Sequence, residues 1–192
     1  RKNTKIKVWT VNEQKRFLEY VEQSNQFYYT LFLLALTSGM RQGEILALTR
    51  DNVDMKNGTI TIKKTVVRLS RGLYIGDRPK TDSSIRTVRI PRKTSQVLRK
   101  WLLVCPPNPF DLVFPSPKTG GVLHPNSLKR ALEKYIRESG VPEITFHSLR
   151  HTFATTMLQN NVNPKIVQEM LGHATIKTTM DTYSHLMPDM QQ

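Results

Sequence analysis

Hydrophobic residues recur at helical spacing along most of this chain, and one stretch near its middle alternates like a strand instead. The two patterns are distinguishable because side chains share a face every three to four residues in a helix and every second residue in a strand. The helical spacing predicts helices at about 11–23, 26–37, 42–48, 93–103, 126–139, 147–160, 164–171 and 175–186.

Short polar, proline and glycine signals support the ends of these predicted helices. Thr10 to Glu13 has the form of a capping box, in which a threonine and a glutamate each bond a free backbone N–H of the first turn. Pro164 fits a first helical turn, and Gly39, Gly140 and Gly172 each fit the residue that follows a helix. The boundaries are therefore predicted by two independent features, spacing and capping.

The alternating stretch predicts strands at Thr59–Val66, near Leu73–Asp77 and at Arg86–Ile90, where Pro91 ends the last one. Short strands that follow each other closely pair antiparallel most readily. The predicted fold class is α+β, mainly α-helical with a small three-stranded antiparallel sheet. With 192 residues the chain is long enough for one well-packed domain.

The charge balance favours a polyanionic partner. The chain has 29 lysines and arginines against 15 acidic residues, a net charge of +14. A field of that sign attracts nucleic acid, although some other soluble proteins are equally basic. The one cysteine, Cys105, excludes an internal disulfide and fits a reducing compartment. No apolar run is long enough to span a membrane, so we expect a cytoplasmic protein.

An arginine stands at the start of the third predicted helix, in the stretch TSGMRQGEI. Gly39 permits a sharp exit from the preceding helix, and Arg41 then lies beside free backbone N–H groups that could also bind a phosphate. Glu44, three residues later, is close enough to brace Arg41. The alternative is an exposed ion pair of little energetic value.

A lysine precedes the third predicted strand. Pro79 restricts the backbone ahead of Lys80, which places this lysine in a tight connection between strands. There it could neutralise an anion or donate a proton. The alternative is a solvated turn lysine.

The stretch HSLRHTFA places two histidines and an arginine on one predicted helix. His147 and Arg150 are three residues apart, so they share a face and could act on the same anion. His147 and His151 have the spacing of a zinc pair, but Ser148 replaces the glutamate of that motif and no third ligand has a suggestive spacing. We interpret His151 as a surface or packing residue.

The last candidates lie near the C-terminus. Gly172 ends a predicted helix and exposes His173, and Tyr183 follows ten residues later. A tyrosine hydroxyl is a weak nucleophile at neutral pH and needs cations around the group that it attacks. The alternative for Tyr183 is an ordinary amphipathic tyrosine, and we interpret His185 as a surface residue.

Each piece is unspecific, but the ordered set resembles the tyrosine recombinase family of the phage-integrase type. The stretch TSGMRQGEI is similar to its first arginine box, and HSLRHTFA together with LGH is similar to its second. The resemblance extends from about residue 10 to residue 185. It implies that the catalytic residues are Arg41, Lys80, His147, Arg150, His173 and Tyr183.

The resemblance also implies their roles. Tyr183 attacks a DNA phosphodiester and forms a 3′-phosphotyrosine link. Arg41 and Arg150 hold the non-bridging oxygens, Lys80 protonates the departing 5′ hydroxyl, and His147 serves in proton transfer with Tyr183. These steps amount to DNA cleavage and religation.

The two remaining site residues have supporting roles in the same resemblance. His173 hydrogen-bonds the phosphate, and Glu44 supports Arg41. Fixed cations take the place of a metal, and the phosphotyrosine bond stores the energy of the broken diester. We therefore expect no cofactor, no metal and no ATP. The implied function is site-specific recombination that integrates and excises a phage or mobile element.

The family organisation predicts further features of the protein. We interpret residues 1–9 as a linker from an N-terminal core-binding domain and residues 10–192 as the catalytic domain. The full-length protein is expected to form a homotetramer on double-stranded DNA in a bacterial cytoplasm. The chain alone is expected to be monomeric, without contact with a membrane.

Three other functions compete with this one. A type IB topoisomerase uses similar chemistry to relax supercoils, and a non-catalytic DNA-binding module would grip phosphates without cleaving them. A zinc hydrolase would use His147 and His151 as metal ligands. Covalent trapping on DNA separates the recombinase from a pure DNA binder, and relaxation of plasmid without a defined site identifies the topoisomerase. Bound metal and loss of activity with EDTA identify the zinc hydrolase.

Overall fold

The structure, a computed structural model, describes residues 7–70, 72–77 and 85–183. Helices span Val11–Ser24 (α1), Gln26–Ser38 (α2), Gln42–Leu46 (α3), Arg92–Val104 (α4), Pro125–Ser139 (α5), Phe146–Gln159 (α6), Pro164–Leu171 (α7) and Ile176–Tyr183 (α8). Strands span Val53–Asp54 (β1), Thr59–Ile62 (β2), Lys64–Leu69 (β3), Gly72–Asp77 (β4) and Arg86–Arg89 (β5). The predicted helix positions are confirmed to within a few residues over this part of the chain.

The N-terminal caps form as the sequence predicts. The Thr10 backbone N–H donates to Glu13 at 2.7 Å, and the Glu13 N–H donates to the Thr10 hydroxyl at 3.3 Å. Asn25 accepts from the Tyr28 N–H at 3.1 Å and so starts α2. These side chains satisfy donors that have no partner inside the helix.

The strands confirm the fold class, but they are arranged as two sheets. The stretch predicted as one strand splits at Lys63, and only its first half joins the sheet β1-β2-β5. Its second half pairs with β4 in a separate two-stranded sheet. The prediction that Leu73–Asp77 belongs to the three-stranded sheet is therefore wrong. Ile60 and Ile62 are buried while β3 becomes exposed, and alternating β-branched residues do not reveal where contact with the core ends.

Helix α2 is the centre of the core. Most of its residues are buried, as expected for a helix that is apolar on every side, and it packs against α1, α4 and α6. It ends at Gly39, whose φ of +64° is a left-handed conformation. A Cβ at Gly39 would lie 2.5 Å from the Phe153 ring, so this turn requires glycine. The turn delivers Arg41 to the face where α6 and α7 meet.

A smaller hydrophobic cluster joins the last three helices. It consists of Phe153, Ala154, Leu158, Val167, Leu171 and Tyr183. The cluster holds the end of α8 against α6 and α7. Helix α8 was predicted to reach about residue 186, and the residues after Tyr183 lie outside the described part of the chain.

Trp9 packs into the core although the sequence analysis assigned it to a linker. It is 2% exposed, its backbone N–H donates to the Thr152 hydroxyl at 3.1 Å, and its indole N–H donates to the Pro142 carbonyl at 2.8 Å. Within the residues that the structure describes, no helix combines the length and apolar character needed to cross a membrane.

Candidate active site

Arg150 is a buried arginine that joins the ends of two helices. It is 4% exposed, and it donates to the Gly39 carbonyl at 2.6 Å and to the Leu171 carbonyl at 2.7 Å. Burial, reinforced by Arg41 and Arg86, lowers the pKa of its guanidinium to about 9. Arg150 therefore remains charged at neutral pH.

Glu44 lies between two arginines. Its carboxylate is fully buried and accepts from Arg41 Nη1 at 2.9 Å and from Arg86 Nη2 at 2.8 Å. It also accepts from the Arg41 backbone N–H at 2.9 Å. Because Glu44 binds both arginines, loss of this one carboxylate would leave the guanidinium of Arg86, whose side chain is buried, without its ion pair.

The third arginine of this cluster, Arg86, was not identified from the sequence as a site residue. It begins β5, and its Nε donates to the Met170 carbonyl at 2.7 Å. Its contact with Glu44 crosses 42 positions of the chain. In the sequence, Arg86 is one of 29 lysines and arginines, and no local signal distinguishes it.

The three arginines converge on the C-terminal end of α7. Arg86 donates to the Met170 carbonyl, Arg150 to the Leu171 carbonyl, and Arg41 to the Gly172 carbonyl at 3.3 Å. The last carbonyls of a helix have no partner within the helix and carry a partial negative charge. One helix end therefore orders three guanidinium groups that would otherwise repel each other.

Arg41 is the member of the cluster that a ligand can reach. Its side chain is 38% exposed, whereas that of Arg86 is 8% exposed. The absence of a side chain at Gly172 lets the Arg86 guanidinium lie close to this turn, because a Cβ there would lie 2.9 Å from Arg86 Nη1. The φ of Gly172, +65°, also favours glycine. The arrangement presents cationic donors beside the turn that carries His173.

His173 and His147 lie within the field of these arginines. His173 Nδ1 is 2.8 Å from the Thr179 hydroxyl, and burial followed by Arg150, Arg41 and Arg86 lowers the pKa of His173 to about 4. Partial shielding from water, followed by the charges of Arg150 and Arg41, also lowers the pKa of His147. His173 is therefore a neutral hydrogen-bonding group at physiological pH.

Tyr183 lies at the end of α8 with its hydroxyl beside a histidine. It is 1% exposed, and its Oη is 2.7 Å from His151 Nδ1. Burial, opposed by Arg150, raises the pKa of Tyr183 to about 12. His147 packs edge-on against His151 with 4.6 Å between the ring centroids. The partner of the phenol in this structure is thus His151, which the sequence analysis assigned to surface or packing.

The structure brings together the candidates that it describes: Arg41, His147, Arg150, His173 and Tyr183. Lys80 and His185 lie outside the described residues. In the part of the chain that is described, no three His, Cys, Asp or Glu side chains are grouped so that they could hold a metal ion. The zinc alternative therefore has no ligand set there.

The same residues lie within a region that matches a known family. The sequence model of the phage integrase family matches residues 7–190. The chain belongs to this family. All the predicted catalytic positions fall within the matched region, and so do Arg86 and His151.

Curated relatives match almost the whole chain. The ICEBs1 integrase of Bacillus subtilis is 27% identical over 98% of this chain and 53% of its own length. A XerC-like tyrosine recombinase of Caldanaerobacter subterraneus is 29% identical over 96% of this chain and 52% of its own length. The chain spans about half the length of the curated relatives that it matches.

Solved structures of a transposon integrase share the fold. The Tn1549 transposon integrase in complex with circular intermediate DNA superposes with a TM-score of 0.86 at 23% identity, over 95% of this chain and 64% of that one. In complex with transposon right end DNA it gives a TM-score of 0.83 at 25% identity, over 95% and 62%.

Proposed function

We propose that the protein is a tyrosine-type site-specific DNA recombinase that integrates and excises a mobile element or phage. It would cleave and rejoin strands through a 3′-phosphotyrosine intermediate. The observation that carries this proposal is the convergence of Arg41, Arg150 and His173 beside Tyr183, a potential nucleophile.

Double-stranded DNA is the proposed substrate. The net charge of +14 favours a polyanion, and exposed donors of Arg41 supply a specific contact for a phosphate. Relatives named integrase or recombinase, and a family member solved on transposon end DNA, support the same substrate. We propose that the full-length protein acts as a tetramer on DNA in a bacterial cytoplasm and that the chain alone is monomeric.

The arginines would stabilise charge that develops at phosphorus. A guanidinium has five N–H donors, so Arg150 retains donors after its two bonds to carbonyls, and Arg41 is partly exposed. Donors that are already oriented need no rearrangement when the oxygens gain negative charge. His173, oriented by Thr179, would contribute a further hydrogen bond to the phosphate.

The nucleophile and the leaving group need separate proton transfers. Tyr183 Oη would attack phosphorus while the bond to the 5′ oxygen breaks, and the resemblance assigns protonation of that oxygen to Lys80. The phosphotyrosine bond keeps the free energy of the diester, so the 5′ hydroxyl can attack in the reverse direction without ATP. His147 would take part in proton transfer at the exposed start of α6.

The test is covalent trapping on nicked duplexes that carry the ends of the element. The full-length protein is expected to form a covalent adduct on this DNA, whereas Tyr183→Phe binds it and forms none. Tyr20→Phe is the matched control, because the Tyr20 hydroxyl, on α1, donates to Glu138 on α5 and not to any group of the candidate site. Adducts in Tyr183→Phe would refute the assignment, and relaxation of plasmid that lacks any such site would favour the topoisomerase.

A further inference from the structure

The nucleophile has a partner that the proposed function does not use. Tyr183 is almost completely buried, and its hydroxyl makes one hydrogen bond within the described residues, to His151 Nδ1 at 2.7 Å. His151 directly follows Arg150 in α6, and Tyr183 is the last residue of α8. Two helices therefore have to dock correctly before this contact forms.

We propose that His151 is a catalytic residue that accepts the phenolic proton of Tyr183 during cleavage and returns it during religation. This inference rests on the proposed function, since it concerns the same reaction. It differs from the assignment of His147 to the nucleophile, because the atom in contact with Oη belongs to His151.

The protonation states allow this transfer. Burial, followed by His147 and Arg150, lowers the pKa of His151 to about 4, so its ring is neutral at pH 7. A neutral imidazole has one nitrogen free to accept, and a phenol whose pKa is near 12 is protonated and donates. The transfer uses the tautomer with the imidazole proton on Nε2, in which Oη donates to Nδ1 across the 2.7 Å contact.

The charges around His151 would favour proton transfer to it when DNA is bound. The groups that face it are His147 and Arg150 on α6, Tyr183 on α8, and His173 in the preceding turn. Arg150 opposes a positive charge on His151 in the free protein. A phosphate held by Arg150 brings a negative charge that offsets this repulsion and makes the imidazolium less costly.

The step balances as a proton transfer coupled to substitution at phosphorus. As the bond from Oη to phosphorus forms, the proton moves from Oη to Nδ1 and the bond from phosphorus to the 5′ oxygen breaks. The 5′ oxygen receives its proton from a different donor, which is Lys80 in the proposed function. In religation the 5′ hydroxyl attacks, the bond to Oη breaks, and the His151 imidazolium returns its proton to Oη.

The decisive variant keeps the hydrogen bond and removes the basicity. In His151→Asn, the amide oxygen can occupy the place of Nδ1 and accept from Oη, but it cannot take the proton. Single-turnover cleavage of the nicked duplex by the full-length protein is expected to fall about 10²–10⁴-fold, with DNA binding unchanged. His124→Asn is the control, since His124 caps α5 through the Asn126 N–H and asparagine is an equally good cap. It should leave cleavage unchanged.

Two further measurements separate proton transfer from mere positioning. Added imidazole should restore part of the cleavage rate to His151→Gly, because a free base can enter the vacated space. A substrate with sulfur in place of the bridging 5′ oxygen needs no proton on its leaving group, so it should not restore the rate of His151→Asn. Restoration by that substrate would assign His151 to the leaving group and overturn the inference.

The outcomes distinguish this inference from the proposed function. Wild-type cleavage by His151→Asn would overturn the role of His151 even if Tyr183→Phe forms no adduct. An adduct in Tyr183→Phe would instead overturn the proposed function itself.

Discussion

The arginines and the tyrosine of the candidate site are held by two different kinds of structure. Arg86 and Arg150 are buried, and each is bound to a carbonyl of α7 and to at least one more group. Helix α8 buries only Thr179 and Tyr183 of its eight residues, and Tyr183 is tied to the site by one hydrogen bond and a small cluster.

This difference suits the chemistry that we propose. The arginines have to stabilise charge on the same phosphate oxygens in both directions of the reaction, so their positions should not change. The phenol has to bond to phosphorus and leave it again. Its small number of contacts would permit the displacement that this requires. We therefore expect substitutions in the arginine region to cost much more folding stability than substitutions of the phenol.

The largest expected loss follows from removing the charge of Glu44. Glu44→Gln would leave Arg41 and Arg86 without their shared carboxylate, and Arg86 is almost fully buried. Breaking a buried ion pair costs about 3–5 kcal/mol of the free energy of unfolding. Denaturant unfolding measures this loss.

Glu19→Gln is the matched control, because the exposed pair of Lys15 and Glu19 should be worth less than about 1 kcal/mol. Equal losses in the two variants would show that the arginine region is not held by this carboxylate.

The contacts in this region also show what could be predicted from the sequence. The bond from Arg41 to Glu44 was anticipated because the residues are three apart at the start of a helix. The bonds from Arg86 to Glu44 and from His151 to Tyr183 join residues 42 and 32 positions apart. Their partners are determined by how β5, α3, α6 and α8 pack, so residue type and spacing did not reveal them.

The fold shows the same division between local and distant information. Helix ends were predictable because caps and glycines act on neighbouring backbone groups, as at Thr10 and Gly140. The split of one predicted strand at Lys63 depends on which sheet each half joins, and that choice is made by residues far along the chain, such as Val88 opposite Ile60.

A loss of similar or smaller size is expected when the turn that Arg150 binds is altered. Gly39→Ala forces a Cβ to within 2.5 Å of the Phe153 ring and places alanine at a φ of +64°. The left-handed backbone and the overpacking together should cost about 2–5 kcal/mol. Gly140→Ala is the control, because its φ is +65° but a Cβ there meets nothing within 4 Å.

The control should lose only the backbone contribution, about 1–2 kcal/mol. The difference between the two glycine variants then isolates the contact between the turn and Phe153. Thermal or denaturant unfolding measures it, and cleavage of the nicked duplex shows whether Arg150 follows the displaced Gly39 carbonyl. If the two variants lose the same stability, the contact between this turn and Phe153 does not oppose an added methyl group. The arginine region is then less rigid than we infer.

The smallest expected loss of stability is that of the phenol hydroxyl. Tyr183→Phe keeps the ring in the cluster with Phe153 and Leu171 and removes only the hydrogen bond to His151. A single neutral hydrogen bond contributes about 0.5–1.5 kcal/mol, and His151 is half-buried, so water can replace the lost partner. Equilibrium unfolding of this variant, compared with Glu44→Gln under the same conditions, tests the contrast directly. A loss as large as that of Glu44→Gln would mean that the phenol is anchored as firmly as the arginines. The nucleophile would then have to react from a fixed position, with the phosphate alone moving to meet it.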